Sequence, residues 1–399
     1  MGTRPAHDRG SNPEMVPRQA ACALVPTGLW LALPLAACTP ASGDGETGST
    51  TTASSTPASS TTTVSDAAPT STSESTTSAN TTSANTSTTD DSSTTDSTGH
   101  TYPIDAICAP WPAPANAFDQ SVVPIEVPPQ NPAATKIVLV AGAPSLDHPP
   151  GAHEFFAGSA ILAKLLCQTP GVTPVIVKNG WPSDDTVFAG ASSIVFYLDG
   201  RDTHPLADPA KYAALKPHIE AGAGFVNLHY AVDYNPPVGA QILPWLGGYH
   251  EAGYSVNPIW KATYAALPAH PIANGVPPFT VNDEWYYNMR WIEGMLGVTP
   301  ILQSVPPEET RTTPDTQAHP GRSETTAWAF DRPDGGRGFG LTGGHWHGNW
   351  TDSVDAPDAA KLRRVVVHGI LWTARVEIPI DGAPVDFDPA DGGNWLDTK

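Results

Sequence analysis

Basic charge is scarce in this chain. Lys and Arg total 20 against 40 Asp and Glu in 399 residues, a formal net charge of −20. Phosphate backbones are held by basic surfaces, so this balance excludes nucleic acid as a partner. Cysteine is equally sparse at four. Cys22 and Cys38 belong to an N-terminal apolar stretch, which leaves only Cys108 and Cys167 for the rest of the chain. In an oxidising compartment an isolated pair reads as a disulfide rather than a catalytic centre, with a free, buried Cys167 on a helix as the alternative. Between Thr39 and Gly99 there is no Lys or Arg and almost no large apolar side chain. Nothing in that Ser/Thr-rich block can offset the entropy of ordering it, so it is expected to be a disordered, hydrated spacer over 38–99.

What is present divides the chain further. Ala20 to Ala37 is apolar and uncharged, follows Arg18, and ends Leu35-Ala36-Ala37-Cys38. A positive flank, an apolar stretch of this length and small residues before a cut describe an export signal over 1–37. Pro26 and Pro34 count against a spanning helix. Met15 is a candidate true start. Leu-Ala-Ala-Cys resembles the bacterial lipobox, which would make Cys38 a lipid anchor to a membrane of the cell envelope, periplasmic or surface-exposed. An ordinary signal peptide with a chance cysteine is the alternative. Residues 100–135 read as a Pro-rich extended segment that a Cys108–Cys167 bridge would pin down, and 381–399 as a C-terminal tail.

The compact region is expected over 136–380. Lys136 to Gly142 is a β-branched run ending in glycine, Glu154 to Cys167 carries apolar residues at helical spacing, and Val172 to Val177 is again strand-like. Ser193–Leu198, Pro209–Ala221 and Gly224–Leu228 continue as strand, helix and strand. Alternating β and α units with apolar strands predict an α/β fold, a parallel sheet with helices on both faces. From Tyr230 to Pro300 proline, glycine and aromatics break the rhythm, which predicts a long irregular insertion with short strands near Phe279–Val281. Thr325–Asp331 and Gly338–Thr342 flank a turn cluster and predict a hairpin, and Ala359–Ala374 a last helix.

Ligands of such sheets sit beyond the carboxyl ends of the strands. The predicted loops there deliver His148 and His153, then Asp199, Arg201 and His204, then His229 and Tyr230, then His345 and His347. With Asp283 and Glu284 they supply imidazole and carboxylate for acid/base work or for a divalent metal. His345-x-His347 is the most specific metal signal, because alternate residues of an extended segment face one side. Glu284 among aromatics is a setting that can raise a carboxyl pKa for general-acid work, a solvated loop being the alternative. Any one of these histidines can equally be a capping or hydrogen-bonding residue. Twelve Trp offer sugar-stacking faces or core filler; Trp181, Trp245, Trp260, Trp285, Trp346 and Trp350 fall in predicted loops.

Val195–Gly200, Gly222–Ala231, His270–Val276, Asp283–Tyr286, Gly343–Trp350 and Ile370–Trp372 resemble, in order and spacing, the blocks of the ThuA-like, or trehalose-utilisation, family. The resemblance spans roughly Lys136 to Pro379, and Asp147–Glu154 with Ala318–Gly321 resembles a secreted subgroup. It implies a flavodoxin-like, class I glutamine amidotransferase-like fold and a role in disaccharide or keto-glycoside catabolism. Amidotransferases carry a cysteine nucleophile at the turn that here reads Asn227-Leu-His-Tyr-Ala231, so cysteine hydrolase chemistry is excluded at this turn and His229 stands in the reactive place. The expected protein acts on a small carbohydrate through His229, His148, His153 and Glu284, with Asp199, Arg201, Tyr230, Trp285 and Trp346 holding substrate. A non-catalytic sugar-binding module and a scaffold are the alternatives.

Overall fold

A computed structural model of the chain describes residues 93–95, 99–111, 119–344, 346, 357–387 and 396–397. The leader, Cys38 and most of the Ser/Thr-rich block lie outside them. The last part of that block departs from the expectation of disorder: Ser93–Thr95 pairs antiparallel with Thr101–Pro103.

Five strands run parallel at the centre, all but the last built from runs of Val, Ile, Leu and Phe that are apolar on both faces. They are β1 (Thr135–Ala141), β2 (Val172–Val177), β3 (Ser193–Tyr197) and β4 (Gly224–Leu228), joined later in the chain by a strand described below. Between them lie α1 (Phe155–Leu166) and α2 (Pro209–Glu220). Asp208 starts α2 by accepting the Ala210 N–H at 2.8 Å, with Pro209 in the first turn where its missing N–H costs nothing.

The stretch expected to be irregular keeps long loops and has the short strand expected near Phe279–Val281, but it is more regular than expected. It forms α3 (Pro236–Leu246), the antiparallel pair β5 (Ile259–Tyr264) and β6 (Phe279–Glu284), and β7 (Val298–Ser304). Pro236 and Pro237 occupy the first turn of α3, where proline is tolerated. Pro300 is accommodated because β7 is an edge strand. β5 and β6 alternate strictly, with Trp260, Ala262 and Tyr264 and then Phe279, Val281 and Asp283 turned inward.

β8 (Glu324–Asp331) and β9 (Arg337–Leu341) form the expected hairpin, and α4 (Pro357–Thr373) follows. The seven-stranded sheet has the order β7-β8-β9-β4-β3-β1-β2, antiparallel only in the two pairs β7–β8 and β8–β9. One face is covered by α1, α4 and the β5–β6 pair, around Phe155, Leu162, Val366 and Leu371. The other is covered by α2 and α3, around Leu215, Ile219, Ile242 and Trp245.

Cys108 and Cys167 form a disulfide, with Cα atoms 5.4 Å apart. The Asp105 carboxylate accepts from Gln130 N and Thr173 Oγ1, both at 2.7 Å, and so ties the same segment to β2. The tail is also integrated. Asp397 is buried, and its two oxygens accept the N–H groups of Ala157 (2.8 Å) and Phe156 (3.0 Å) at the start of α1. Glu154, the residue at the cap position, makes no capping bond of its own.

Candidate functional site

Strand order reverses between β1 and β3, and loops beyond the carboxyl ends of neighbouring strands converge at such a crevice. The loop after β1 carries Ser145, His148 and His153; the one after β3 carries Asp199 and Arg201. His229 follows β4 directly, and Thr342 to Gly344 follow β9. β6 brings Glu284 to the same edge. A cavity of about 200 Å³ opens beside Asp199, lined by Gly142, Asn179, Thr203 and Lys211.

Three groups meet at the centre. His229 Nε2 lies 3.2 Å from His153 Nε2 and 3.4 Å from Glu284 Oε2, and His153 Nε2 lies 3.9 Å from that oxygen. Both imidazoles are buried, while Glu284 is partly exposed. Each ring is oriented by its other nitrogen. His229 Nδ1 sits 2.8 Å from the Thr342 carbonyl oxygen, which can only accept, so Nδ1 carries the hydrogen. His153 Nδ1 likewise donates to Asp199 Oδ1 at 3.1 Å. With both Nδ1 positions protonated, two neutral rings would aim nitrogen lone pairs at each other across 3.2 Å. A shared cation, a proton or a metal ion, would satisfy both lone pairs.

The backbone is arranged for this contact. His153 and His229 both have φ of 55°, in the left-handed region that L-residues avoid. Strain of this kind persists only where the surroundings over-determine it. Gly344 shows how close the surroundings come, since a Cβ there would lie 2.1 Å from His229 Cγ. Its carbonyl accepts the Tyr197 hydroxyl at 2.7 Å and its N–H donates to Asp283 Oδ2 at 3.2 Å. Glu284 is steadied by Asn257 Nδ2, which donates to Oε1 at 2.9 Å.

Electrostatics assign the charge states. Burial alone would lift the Glu284 carboxyl, but hydrogen bonds and charge from His153 and His229 hold it well below the usual carboxylate range. Glu284 is therefore a carboxylate, and the expectation of a raised pKa and general-acid role is corrected; its neighbours are two imidazoles, and the aromatics around it do not decide its state. Burial opposes a charged His153, yet Asp199 and Glu284 raise its pKa above the ordinary histidine value. Asp199 is lowered despite its own burial, through hydrogen bonds from His153 and Ser145.

The remaining predicted residues fall around or away from this centre. His148 stacks on His153, ring centroids 3.6 Å apart, and its Nδ1 is 2.8 Å from Ser145 Oγ. Ser145 Oγ in turn donates to Asp199 Oδ2 at 2.8 Å. Asp199 thus positions His153 and is only partly open to a substrate. Tyr230 is half-buried, its ring centroid 5.6 Å from that of His153. Arg201 lies outside the centre, with Nε donating to Asp233 Oδ2 at 2.8 Å and its guanidinium 5.9 Å from the Tyr230 ring.

Trp285 and Trp346 are fully buried, so neither presents a ring face to a sugar, and their expected substrate role is corrected. Trp245 and Trp260 are core residues too, and Trp181 packs on Phe188. His204 also turns inward: its Nδ1 accepts the Leu206 N–H at 3.1 Å, Nε2 meets the Tyr234 hydroxyl at 3.0 Å, and burial drives its pKa down to about 3. His345, His347 and Trp350 lie outside the described residues. Sequence reasoning missed Ser145, Asn257 and the Thr342 carbonyl. None of the three has a titratable signature, and the carbonyl has no side-chain signal at all.

The family model described as ThuA, trehalose utilisation, matches residues 157–373. Among solved structures, a ThuA-like protein from Bacteroides uniformis aligns at 15% identity and a TM-score of 0.42, covering 62% of this chain and 94% of that one. A ThuA-like protein from Parabacteroides merdae aligns at 18% identity and a TM-score of 0.43, covering 60% and 90%. No curated protein matches the chain.

Proposed function

The chain belongs to the ThuA, or trehalose-utilisation, family, and from that premise we propose that it acts on a small carbohydrate, a disaccharide or its oxidised keto form, at the point where His153, His229 and Glu284 converge. The observation that carries this reading is the approach of two imidazole Nε2 atoms to 3.2 Å beside a carboxylate oxygen, from three separate stretches of chain. Such a cluster handles charge on a substrate oxygen, by moving a proton or by holding a metal ion against it. No thiol takes part in it, so the chemistry is not that of a cysteine nucleophile. Tyr230, half-buried beside His153, is the ring best placed to meet a sugar.

In the same reading the protein is exported and held to a membrane of the cell envelope through Cys38, with the Ser/Thr-rich stretch as a spacer. A Cys108–Cys167 disulfide is the kind of bond that oxidising compartments permit, and supports that location. Trp285 and Trp346 are buried, so in either a catalytic or a purely sugar-binding reading the stacking face falls to Tyr230.

The test is a melting-point screen against trehalose, other disaccharides and their keto derivatives, followed by turnover assays, since a ligand that binds only the folded state raises the melting point. A ligand that stabilises the protein and is converted by the parent but not by His229→Ala supports the proposal. A flat screen with no turnover ends it.

A further inference from the structure

We propose that His153, His229 and Glu284 bind one divalent ion of the zinc class through Nε2, Nε2 and Oε2. This deepens the functional reading and rests on its placement of the reactive centre. The three atoms form a triangle with edges of 3.2, 3.4 and 3.9 Å. A tetrahedral site with metal–ligand bonds of about 2.0–2.1 Å separates its ligand atoms by about 3.3 Å, so the side chains stand almost where such an ion needs them.

Donor chemistry narrows the ion. Two imidazoles and one carboxylate suit zinc and its first-row neighbours, whereas calcium and magnesium prefer shells made wholly of oxygen. Each imidazole also has the outer partner that metal-bound histidines characteristically have: His153 donates from Nδ1 to the Asp199 carboxylate and His229 to the Thr342 carbonyl. Those bonds fix the ring nitrogen that faces the centre. The shared left-handed backbone at the two histidines fits the same role, for it presets both rings before any ion arrives.

His148, His153 and Asp199 form a second compact group. It does not describe a second ion, because His153 Nδ1 already donates to Asp199 and His148 stacks its ring on His153. These residues support the first centre from outside. Glu284 is the partly exposed member of the three, and the half-buried Tyr230 ring lies 5.6 Å from that of His153. Among the described residues three ligands meet here, and a substrate oxygen in a further position would have its bond polarised by the ion.

Full-length protein stripped with a chelator and dialysed is titrated with Zn²⁺ alone, and in parallel with Co²⁺ alone. The expected result is saturable uptake of about one equivalent of Zn²⁺ and visible Co²⁺ absorption bands of a four- or five-coordinate site. His153→Gln, His229→Gln and Glu284→Gln each weaken Zn²⁺ binding by about 100-fold or more, whereas His319→Gln, on an exposed side chain, leaves it unchanged. Folding of every variant is checked by near-ultraviolet dichroism; Glu284→Gln, at a partly exposed position, keeps the test alive if a buried histidine variant fails to fold. Absence of saturable uptake, or uptake unchanged in a folded Glu284→Gln, overturns the site. The two readings fail separately. Sugar turnover that needs His229 but persists after chelation removes the ion and leaves the carbohydrate reading, while ion uptake without any turnover does the reverse.

Discussion

Asp199 Oδ1 accepts a hydrogen bond from His153 Nδ1 at 3.1 Å, and Ser145 holds the same carboxylate from the other side. The carboxylate sets which nitrogen of His153 turns toward His229 and steadies the ring there.

Asp199→Asn should therefore leave the fold intact and damage the site. An amide can donate to Nδ1 as well as accept from it, so the tautomer of His153 is no longer fixed. Zn²⁺ affinity, or sugar turnover once a substrate is known, is expected to fall about 10- to 100-fold, with a melting point close to that of the parent protein. A variant with unchanged affinity and turnover would show that Asp199 does not orient the ring.

Gly344 leaves no room for a side chain, since a Cβ would lie 2.1 Å from His229 Cγ. Gly344→Ala must push the imidazole or the β9 loop aside. The expected cost is about 1–3 kcal/mol, as for other overpacked sites, read as a lower denaturant midpoint together with lost function. Gly321→Ala, where nothing lies within 4 Å of the added carbon, is the comparison, although its φ of +68° carries strain of its own.

Acid should destabilise the protein through two histidines outside the centre. Burial lowers His204 to about 3 and His368 to about 4. His368 donates from Nδ1 to the Ile272 carbonyl and accepts the Ala383 N–H at Nε2, a pattern that only the neutral ring satisfies. In the unfolded chain both titrate near 6.5. Between that value and about 4 the unfolded state binds the extra protons, so stability is full above pH 6.5 and drains as pH falls. Each group contributes up to about 1.4 kcal/mol per pH unit over that window. Denaturation midpoints measured from pH 7.5 to 4.5 should show the slope, and His368→Gln should flatten it. An equal slope in the variant would assign the effect elsewhere.

Reduction of Cys108–Cys167 opens a loop of 59 residues. The chain-entropy account assigns such a bridge about 4 kcal/mol at most. Dithiothreitol should lower the denaturation midpoint while the sheet stays folded, because the Asp105 contacts to Gln130 and Thr173 do not depend on the sulfurs. Unchanged melting in reductant would mean that the bridge contributes nothing.

The central sheet was legible because its strands are short runs of Val, Ile, Leu and Phe bounded by glycine and alternating with helical stretches, the pattern of doubly covered parallel strands. His229 was legible because it follows such a run directly. α3 was not, since Pro236, Pro237 and Pro244 look like helix breakers until their places in the first and last turns are known. Glu284 was found but misjudged: its state depends on histidines 131 and 55 positions away in the chain, and no local pattern carries that information. Trp285 and Trp346 were misjudged for a related reason, since a large ring in a loop looks the same in sequence whether it faces solvent or core.

Leu228 of β4 is in register with Leu341 of β9, and the next residue on each strand is His229 and Thr342, whose contact orients the imidazole. The His229 ring is thus set by the hydrogen-bond ladder of the sheet itself. Connections elsewhere can lengthen or shorten without retuning it, while a slip of one rung between β4 and β9 would abolish it, so variation among related chains should collect in the loops and spare this rung.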